Sequence, residues 1–416
     1  MAVNGPITGL TTVDATSNVV QDLGDRYVSQ DYLIDVYPNL VPGRFSPGLW
    51  AFGKNTLGAL GDRTIVNKSS PVQIGTLTNW KQISAGGFSN SFSMAVKNDN
   101  TLWCWGNHDT STVNSGGWLG LGVGGVSPDI SSPVQIGVLT NWKQVSAGGE
   151  HTAAVKTDGT MWTWGGWFGV GWAGGNQLGL GSMTTSDIRS SPVQVGVLTT
   201  WKQVSGGGFH TAAIKADSTL WTFGRNTYGQ LGQGNITHGS APIQIGVLTN
   251  WKQVQCGSYA TLATKTDNTL WIWGYNSTGQ LGLGDVAHRS SPVQLGGVWK
   301  QASTGLGDTS AGIKTDGTLW SWGHNNYGQL GLGDIAHRSS PVQVGSLTNW
   351  KSVSTGGLHT VASKTDGTIW AWGYGLFGAT ATGTLASSPV QIGSLTSWKL
   401  ITAGYYQTLA VRDGFI

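Results

Sequence analysis

Histidine, aspartate and tryptophan are the residues of this 416-residue chain whose placement could do chemistry. His151, His210 and His359 recur in Gly-x-His-Thr turns, and imidazoles at matched stations could ligate a metal or move protons. One residue copied at several stations serves a framework better than a catalyst, so these rings are expected to satisfy backbone groups near a central channel. Asp285 with His288, and Asp334 with His337, fall in two copies of Leu-Gly-Asp-x-Ala-His-Arg-Ser-Ser-Pro, where carboxylate and imidazole could hold a divalent ion. The third copy, Asn235-Ile236-Thr237-His238, lacks the carboxylate, which points to turn capping. Glu150 is the sole glutamate, and the chain has no His-Glu-x-x-His, no phosphate-binding Gly-x-x-x-x-Gly-Lys-Ser/Thr and no Gly-x-Ser-x-Gly. A glycosidase would need paired aspartates, most of which fall in corner turns or in the leader. No catalytic residue, metal site or cofactor is assigned.

Aromatic residues offer the binding candidates. Trp118, Trp167, Phe168 and Trp172 lie in two enlarged loops, and these tryptophans fall outside the repeated positions described below. Solvent-facing aromatics on a rigid scaffold anchor partners or stack on sugar rings. Packing on one another to cover a wide blade is the competing reading.

The elements that would position these residues follow from a repeat. Leu-Trp-x-Trp-Gly or a close variant begins at Leu49, Leu102, Met161, Leu220, Leu270, Leu319 and Ile369, a period of 49 to 59 residues that suits one four-stranded propeller blade. A Trp-Lys pair opens one strand of each period, at Trp80, Trp142, Trp201, Trp251, Trp299, Trp350 and Trp398. A second strand runs to a Lys-x-Asp-Gly corner, read as a hairpin with positive φ at both central residues. Asn100, Asn268 and Ser218 stand where other copies have the glycine. The Leu-Trp-x-Trp strand places both rings on one face. Ser-Pro-Val-Gln or a variant follows, and its proline marks an outer edge strand.

The fold expected is all-β, a single seven-bladed propeller of four-stranded antiparallel blades over 49–416 with an N-terminal arm over 1–48. The last repeat stops where a Leu-Trp-x-Trp strand is due, and the first begins with that strand. Residues 49–53, with Leu49, Trp50 and Phe52, are therefore expected to pair with 398–416, including Phe415 and Ile416, and close the ring.

Composition agrees. Glycine supplies 66 residues and tryptophan 22, with only 10% charged. Residues 1–48 carry −3 and the remainder +6 of the net +3. Fourteen of the later cations belong to the Trp-Lys pairs and corners, so the excess is expected to be a solvated, evenly spread set and not a nucleic-acid patch. Cys104 and Cys256 have no metal spacing and read as buried free thiols. No apolar run is long enough for membrane insertion, and no signal peptide is seen.

With Gly-Gln-Leu-Gly, Ser-Ser-Pro-Val-Gln and Gly-Gly-x-His-Thr recurring in this order, residues 49–416 resemble the regulator-of-chromosome-condensation repeat family. The resemblance implies a propeller that hosts many activities. No insertion matches the β-wedge of the family's nucleotide-exchange members. The turns Gly149-Glu150-His151-Thr152, Gly208-Phe209-His210-Thr211 and Gly357-Leu358-His359-Thr360 lack the Trp and Arg of its ultraviolet-sensing members. More loosely, the chain is similar to propellers of this type encoded by tailed phages, through its leader and its Thr, Ser and Asn abundance.

The turn-rich leader carries Tyr27, Tyr32, Leu33, Ile34, Val36 and Tyr37, and Tyr27 to Tyr37 reads as one strand or one short helix suited to docking. The leading expectation is a non-enzymatic, virion-associated structural protein of a tailed phage, in capsid or tail. It attaches through the arm and presents loops to other virion subunits or a host surface glycan. The alternatives are a cellular, cytoplasmic interaction propeller or small-GTPase regulator, and a glycan-acting enzyme.

Overall fold

The computed structural model describes residues 10–14, 19–22, 27–29, 47–108, 117–122, 129–166, 176–181, 188–381 and 383–413. Within the leader, Leu10–Asp14, Val19–Asp22 and Tyr27–Ser29 form a three-stranded antiparallel sheet. One element was expected there, over Tyr27 to Tyr37. The β-branched runs Thr11-Thr12-Val13 and Val19-Val20 supply two more strands. Tyr32, Leu33, Ile34, Val36 and Tyr37 lie outside the described residues.

Residues 48–413 build seven four-stranded antiparallel sheets, numbered here as blades 1 to 7. Blade 1 runs Trp80–Gly86, Phe92–Lys97, Leu102–Gly106 and Ile130–Gln135; blade 2 starts at Trp142, blade 3 at Trp201, blade 4 at Trp251, blade 5 at Trp299 and blade 6 at Trp350. The Trp-Lys strand is innermost in each and the proline strand outermost. A proline on the outer edge forfeits no ladder hydrogen bond.

Blade 7 closes the ring. Trp398–Ala403 and Gln407–Arg412 come from the C-terminal side, Gly48–Gly53 and Lys68–Gln73 from the N-terminal side. Leu49 pairs with Val411, Trp50 with Ala410 and Phe52 with Thr408. The pairing partner is thus Gln407–Arg412, while Phe415 and Ile416 lie outside the described residues. Gln407 adds a second lock, its Nε2 donating to the carbonyls of Gly86 and Phe92 in blade 1.

The corner turns differ from expectation. At Lys156–Thr160 only Gly159 has positive φ, at 80°, and its N–H donates to the Lys156 carbonyl. This is the three-residue hairpin loop with one left-handed residue rather than the two-residue loop with two. Asn100, Ser218 and Asn268 take the same position with φ of 61°, 63° and 63°. A side chain with Cβ costs about 1–2 kcal/mol there, against about 0.5–1 for the extra freedom of glycine when unfolded. Ser218→Gly is therefore expected to stabilise the propeller by about 0.5–1 kcal/mol, read as a raised denaturation midpoint.

The corner cations are another correction. Their even spacing holds, but Lys97, Lys156, Lys215, Lys265, Lys364 and Arg412 are buried rather than solvated. Lys156, Lys215, Lys265, Lys314 and Lys364 sit 3.5–3.8 Å from the centroid of the first tryptophan of the next strand. The indole face replaces water around the ammonium group. In the same corner Trp162 Nε1 donates to Thr160 Oγ1, which donates to Asp158 Oδ1, a relay repeated in blades 1, 3, 4, 5 and 6. The innermost-strand lysines, Lys81 to Lys399, are the solvent-facing set.

Neighbouring blades are joined by side chains that act as backbone. Gln82 Nε2 donates to the Val145 carbonyl and its Oε1 accepts from the Val145 N–H; Gln144 does the same with Val204. The second tryptophan of the third strand, Trp164, Trp273, Trp322 or Trp372, is fully buried between blades.

Candidate functional site

Because strands alternate in direction, the turns between first and second strands open on one face, together with the connections between third and fourth strands. The Asp-Gly corners and blade-to-blade connectors open on the other. Innermost strands line a polar central channel of about 250 Å³, with Gln82, Ser84, Gln144, Ser146 and Ser205 on its wall.

Aromatic residues crowd the mouth of this channel on the first face. Phe88 lies 5.3 Å from Phe209 and 6.1 Å from Tyr405, so it touches the turns of blades 3 and 7 from blade 1. It rests on backbone: a Cβ on Gly149 would meet the Phe88 ring at 2.5 Å. From Phe209 the network runs to Tyr259, Tyr228, Tyr275 and His288. From Tyr405 it runs to Tyr406, Tyr374, Phe377 and Tyr327. All of these Phe and Tyr side chains are half-buried, resting on the scaffold with one side open. Two cations flank the network: Arg225 lies 5.5 and 5.2 Å from the Phe209 and Tyr259 rings, and Lys54 lies 5.6 and 5.0 Å from Phe377 and Tyr406.

Two carboxylates stand at the same turn position, the residue before the second strand. Burial pushes Glu150 up to about 8 and Asp308 up to about 6, with the Gln280 side chain drawing Asp308 the other way. Glu150 is thereby mostly protonated at pH 7. A raised carboxyl loses folding stability as pH climbs from its ordinary value through its folded one. Glu150→Gln is expected to stabilise the fold on the order of 2 kcal/mol at pH 8.5 and negligibly at pH 4.5, measured by thermal melts at both.

The histidines expected to satisfy backbone groups chiefly bridge blades, with the Tyr405 backbone a further partner of His359. His151 Nε2 meets Thr211 Oγ1, His210 meets Thr261 and His359 meets Thr408. Each threonine spends its proton on a carbonyl of the preceding blade's loop, so the imidazole must be the donor, in its Nε2–H form. Burial pushes His151 and His210 down to about 3 and His359 to about 4. The folded state refuses protons the unfolded chain accepts below about 6.5, so stability falls as pH falls from there towards 4.

Among the chemistry-bearing candidates, Asp285 Oδ1 accepts the Ala287 N–H and its Oδ2 pairs with Arg289, while His288 Nδ1 accepts the Asn276 N–H. Asp334 and His337 repeat this with Ala336, Arg338 and Asn325. These are turn caps, as expected. Cys104 and Cys256 are buried free thiols, and burial pushes Cys256 up to about 12.

Trp118 is the main correction among the binding residues. It is 1% exposed, its ring stacked 6.2 Å from Phe92. Gly117-Trp118-Leu119-Gly120 is the Gly-Gln-Leu-Gly segment with Trp in place of Gln, displaced along the chain by an insertion. The Trp118 carbonyl accepts from Thr152 and Trp164, as the Gln230 carbonyl accepts from Thr261 and Trp273. Trp167, Phe168 and Trp172 lie outside the described residues, although the third strand preceding them ends on the mouth face. The mouth aromatics occupy positions of the repeat that vary from blade to blade. Aligning the seven copies and marking where they disagree would have found them.

A second surface lies on the opposite face, where Val138, Val197 and Val247 of consecutive connectors are 87–88% exposed. Among the described residues no helix is long and apolar enough to cross a membrane.

Residues 48–96, 217–264, 267–307 and 316–363 match a model of the regulator of chromosome condensation (RCC1) repeat. A second model of that repeat matches 142–166, 201–230, 251–280, 299–329 and 350–379. The chain is 31% identical over 192 residues to the ultraviolet-B receptor UVR8 of Arabidopsis thaliana, covering 45% of this chain and 39% of that protein. It is 33% identical over 191 residues to the probable E3 ubiquitin-protein ligase HERC6 of Homo sapiens, covering 44% and 17%. The chain therefore spans less than half the length of these relatives. Among solved structures it resembles Prp20p of Saccharomyces cerevisiae, with TM-score 0.74, 19% identity and coverage of 94% and 95%. Human WBSCR16 gives TM-score 0.76, 18% identity and coverage of 89% and 100%. These two likenesses bear on the fold. Since the two repeat models together cover more than half of the sequence, in the order the blades require, this chain belongs to the regulator of chromosome condensation (RCC1) repeat family.

Proposed function

We propose that this chain is a protein-interaction propeller that binds its partner with the channel-mouth face. The observation that carries the reading is the half-open aromatic network from Tyr275 through Phe88 to Phe377, flanked by Arg225 and Lys54. Tyr and Arg on a rigid base are what interface hot spots are built from, because they bury large area with little loss of conformational freedom. The solved structure of Prp20p is described with its binding to Gsp1p and histones, which supports a protein partner for a propeller of this shape.

A photo-crosslinking residue at Tyr228 or Tyr374 is expected to give discrete protein adducts in cells, and one at Val197 on the opposite face none. Adducts from position 197 alone would overturn the choice of face. The narrower regulator reading predicts faster nucleotide release from a small GTPase that crosslinks. Attachment to a phage particle through residues 1–48 would use the same face for a neighbouring subunit or glycan. Its test is mass spectrometry of purified particles with and without that segment.

A further inference from the structure

At four of the interfaces between blades a leucine takes the same place. Leu121, Leu180, Leu283 and Leu332 follow the Gly-Gln-Leu-Gly segment or its variant in blades 1, 2, 4 and 5. Each packs on the interblade cluster together with the first tryptophan of the next blade's third strand, Trp162, Trp221, Trp320 or Trp370. Between blades 3 and 4 that place belongs to Gln233. Its Nε2 reaches back to Thr222 Oγ1 of its own blade, a long hydrogen bond at 3.4 Å, and among the described residues Trp271 alone packs on the cluster from outside. Asp62 also departs from leucine, between blades 7 and 1, but Asn55 and Thr64 donate to it and Lys68 pairs with it, so it is held within its own loop.

The missing leucine coincides with an open groove of about 600 Å³ across the rim of the propeller, lined by Trp271, Ile243, Ile245, Leu248, Pro292 and Gln233. Ile243 and Leu248 are 44% and 45% exposed although both are aliphatic, and no ionisable side chain lines the groove. Apolar side chains gathered beside a half-buried indole mark a binding surface. The fold itself supplies the template for the occupant: at the four matching interfaces the group that joins this tryptophan on the cluster is a leucine side chain. We propose that the groove between blades 3 and 4 takes a leucine side chain from a segment of a protein partner, with the Gln233 amide meeting that segment's backbone. An aliphatic side chain is buried against Trp271, Ile243 and Leu248 without bringing in a charge that nothing in the groove could pair. The groove shares no residue with the aromatic network at the channel mouth, so the two surfaces are tested apart.

The full chain labelled with 5-fluorotryptophan is titrated with an N-acetylated, C-amidated Gly-Ser-Leu-Ser-Gly peptide, with the same peptide carrying Asn for Leu, and with methyl glucoside. The Trp271 fluorine resonance is assigned by its loss in Trp271→Phe. It is expected to shift with the leucine peptide, with a Kd on the order of millimolar for one buried side chain, and to stay still with the other two. In Gln233→Leu the chain's own leucine takes the place, as in the other blades. The peptide is then expected to bind at least about tenfold more weakly, while the melting temperature equals or exceeds the parent's. Leu248→Ser, on an exposed connector, removes one wall and is expected to weaken binding in the same direction. Val247→Ser beside it, 87% exposed and outside the groove, is expected to leave binding unchanged. An equal shift with the asparagine peptide, or parental binding by both Gln233→Leu and Leu248→Ser, overturns the proposal. So does a Trp271 resonance that follows methyl glucoside alone, which would make the groove a sugar site, or one that none of the three compounds moves.

Discussion

Leu409→Pro is expected to abolish the native fold at 25 °C, or at least to remove more than about 5 kcal/mol of stability. Leu409 is fully buried in the second strand of blade 7, opposite Thr402 on one side and Ala51 on the other. Proline there removes a ladder N–H from an interior strand, about 3 kcal/mol or more by analogy with helix interiors, and truncating a buried leucine adds about 2–5 kcal/mol. The site matters beyond these local terms because this strand joins the two ends of the chain. Without it Gly48–Gly53 and Trp398–Ala403 become open edges, and the Gln407 bonds to blade 1 are lost. The exposed control Leu376→Ala, 63% accessible, is expected to shift stability by less than about 0.5 kcal/mol. Guanidinium unfolding followed by tryptophan fluorescence reads both. A Leu409→Pro midpoint within about 1 kcal/mol of the parent would mean the seam contributes little and that each blade stands alone.

The seam itself is legible in the sequence, and the reason is instructive. A repeat protein states its framework seven times, so an interrupted copy at each end reads as two parts of one unit. The outer-edge prolines and the unusual backbone at Asn100, Ser218 and Asn268 are legible for the same reason. What repetition hides is equally regular. The corner lysines look like surface charges, since sequence shows only that Lys precedes Asp-Gly. Their burial depends on the indole that returns beneath them one strand later. Phe88, Phe209, Tyr259 and Tyr405 lie in different blades and share no local motif, and only the circular topology brings them together. The positions proposed for binding are ones the repeat leaves free to vary, which along the chain resemble noise.

Trp118 illustrates the boundary between the two, and it carries the second large expected effect. Trp118→Gln restores the residue that blades 2 to 5 have at this position, yet it is expected to destabilise the propeller by about 3–5 kcal/mol, as for removal of a buried indole. The reason is its partner: Phe92 stacks on Trp118 with an 18° interplanar angle, in the place where blades 2 and 3 have His151 with Gln177 and His210 with Gln230. Blade 1 thus uses an apolar pair where its neighbours use a polar one. Phe92→His alone is expected to cost about 2–3 kcal/mol, because an imidazole is set against an indole in a dry site. Together the two changes recreate the neighbours' arrangement, and the acceptor is already present. Thr152 occupies in blade 2 the place that Thr211 occupies in blade 3, its hydroxyl donating to the carbonyl of residue 118 and free to accept from an imidazole at position 92. The double variant is therefore expected to be at least about 1–2 kcal/mol more stable than the sum of the single losses, a coupling that denaturation of all four proteins measures directly. Additive losses would show that Phe92 and Trp118 act as separate core fillers. Retained stability in Trp118→Gln, together with lost partner binding, would return the indole to the exposed role first expected of it.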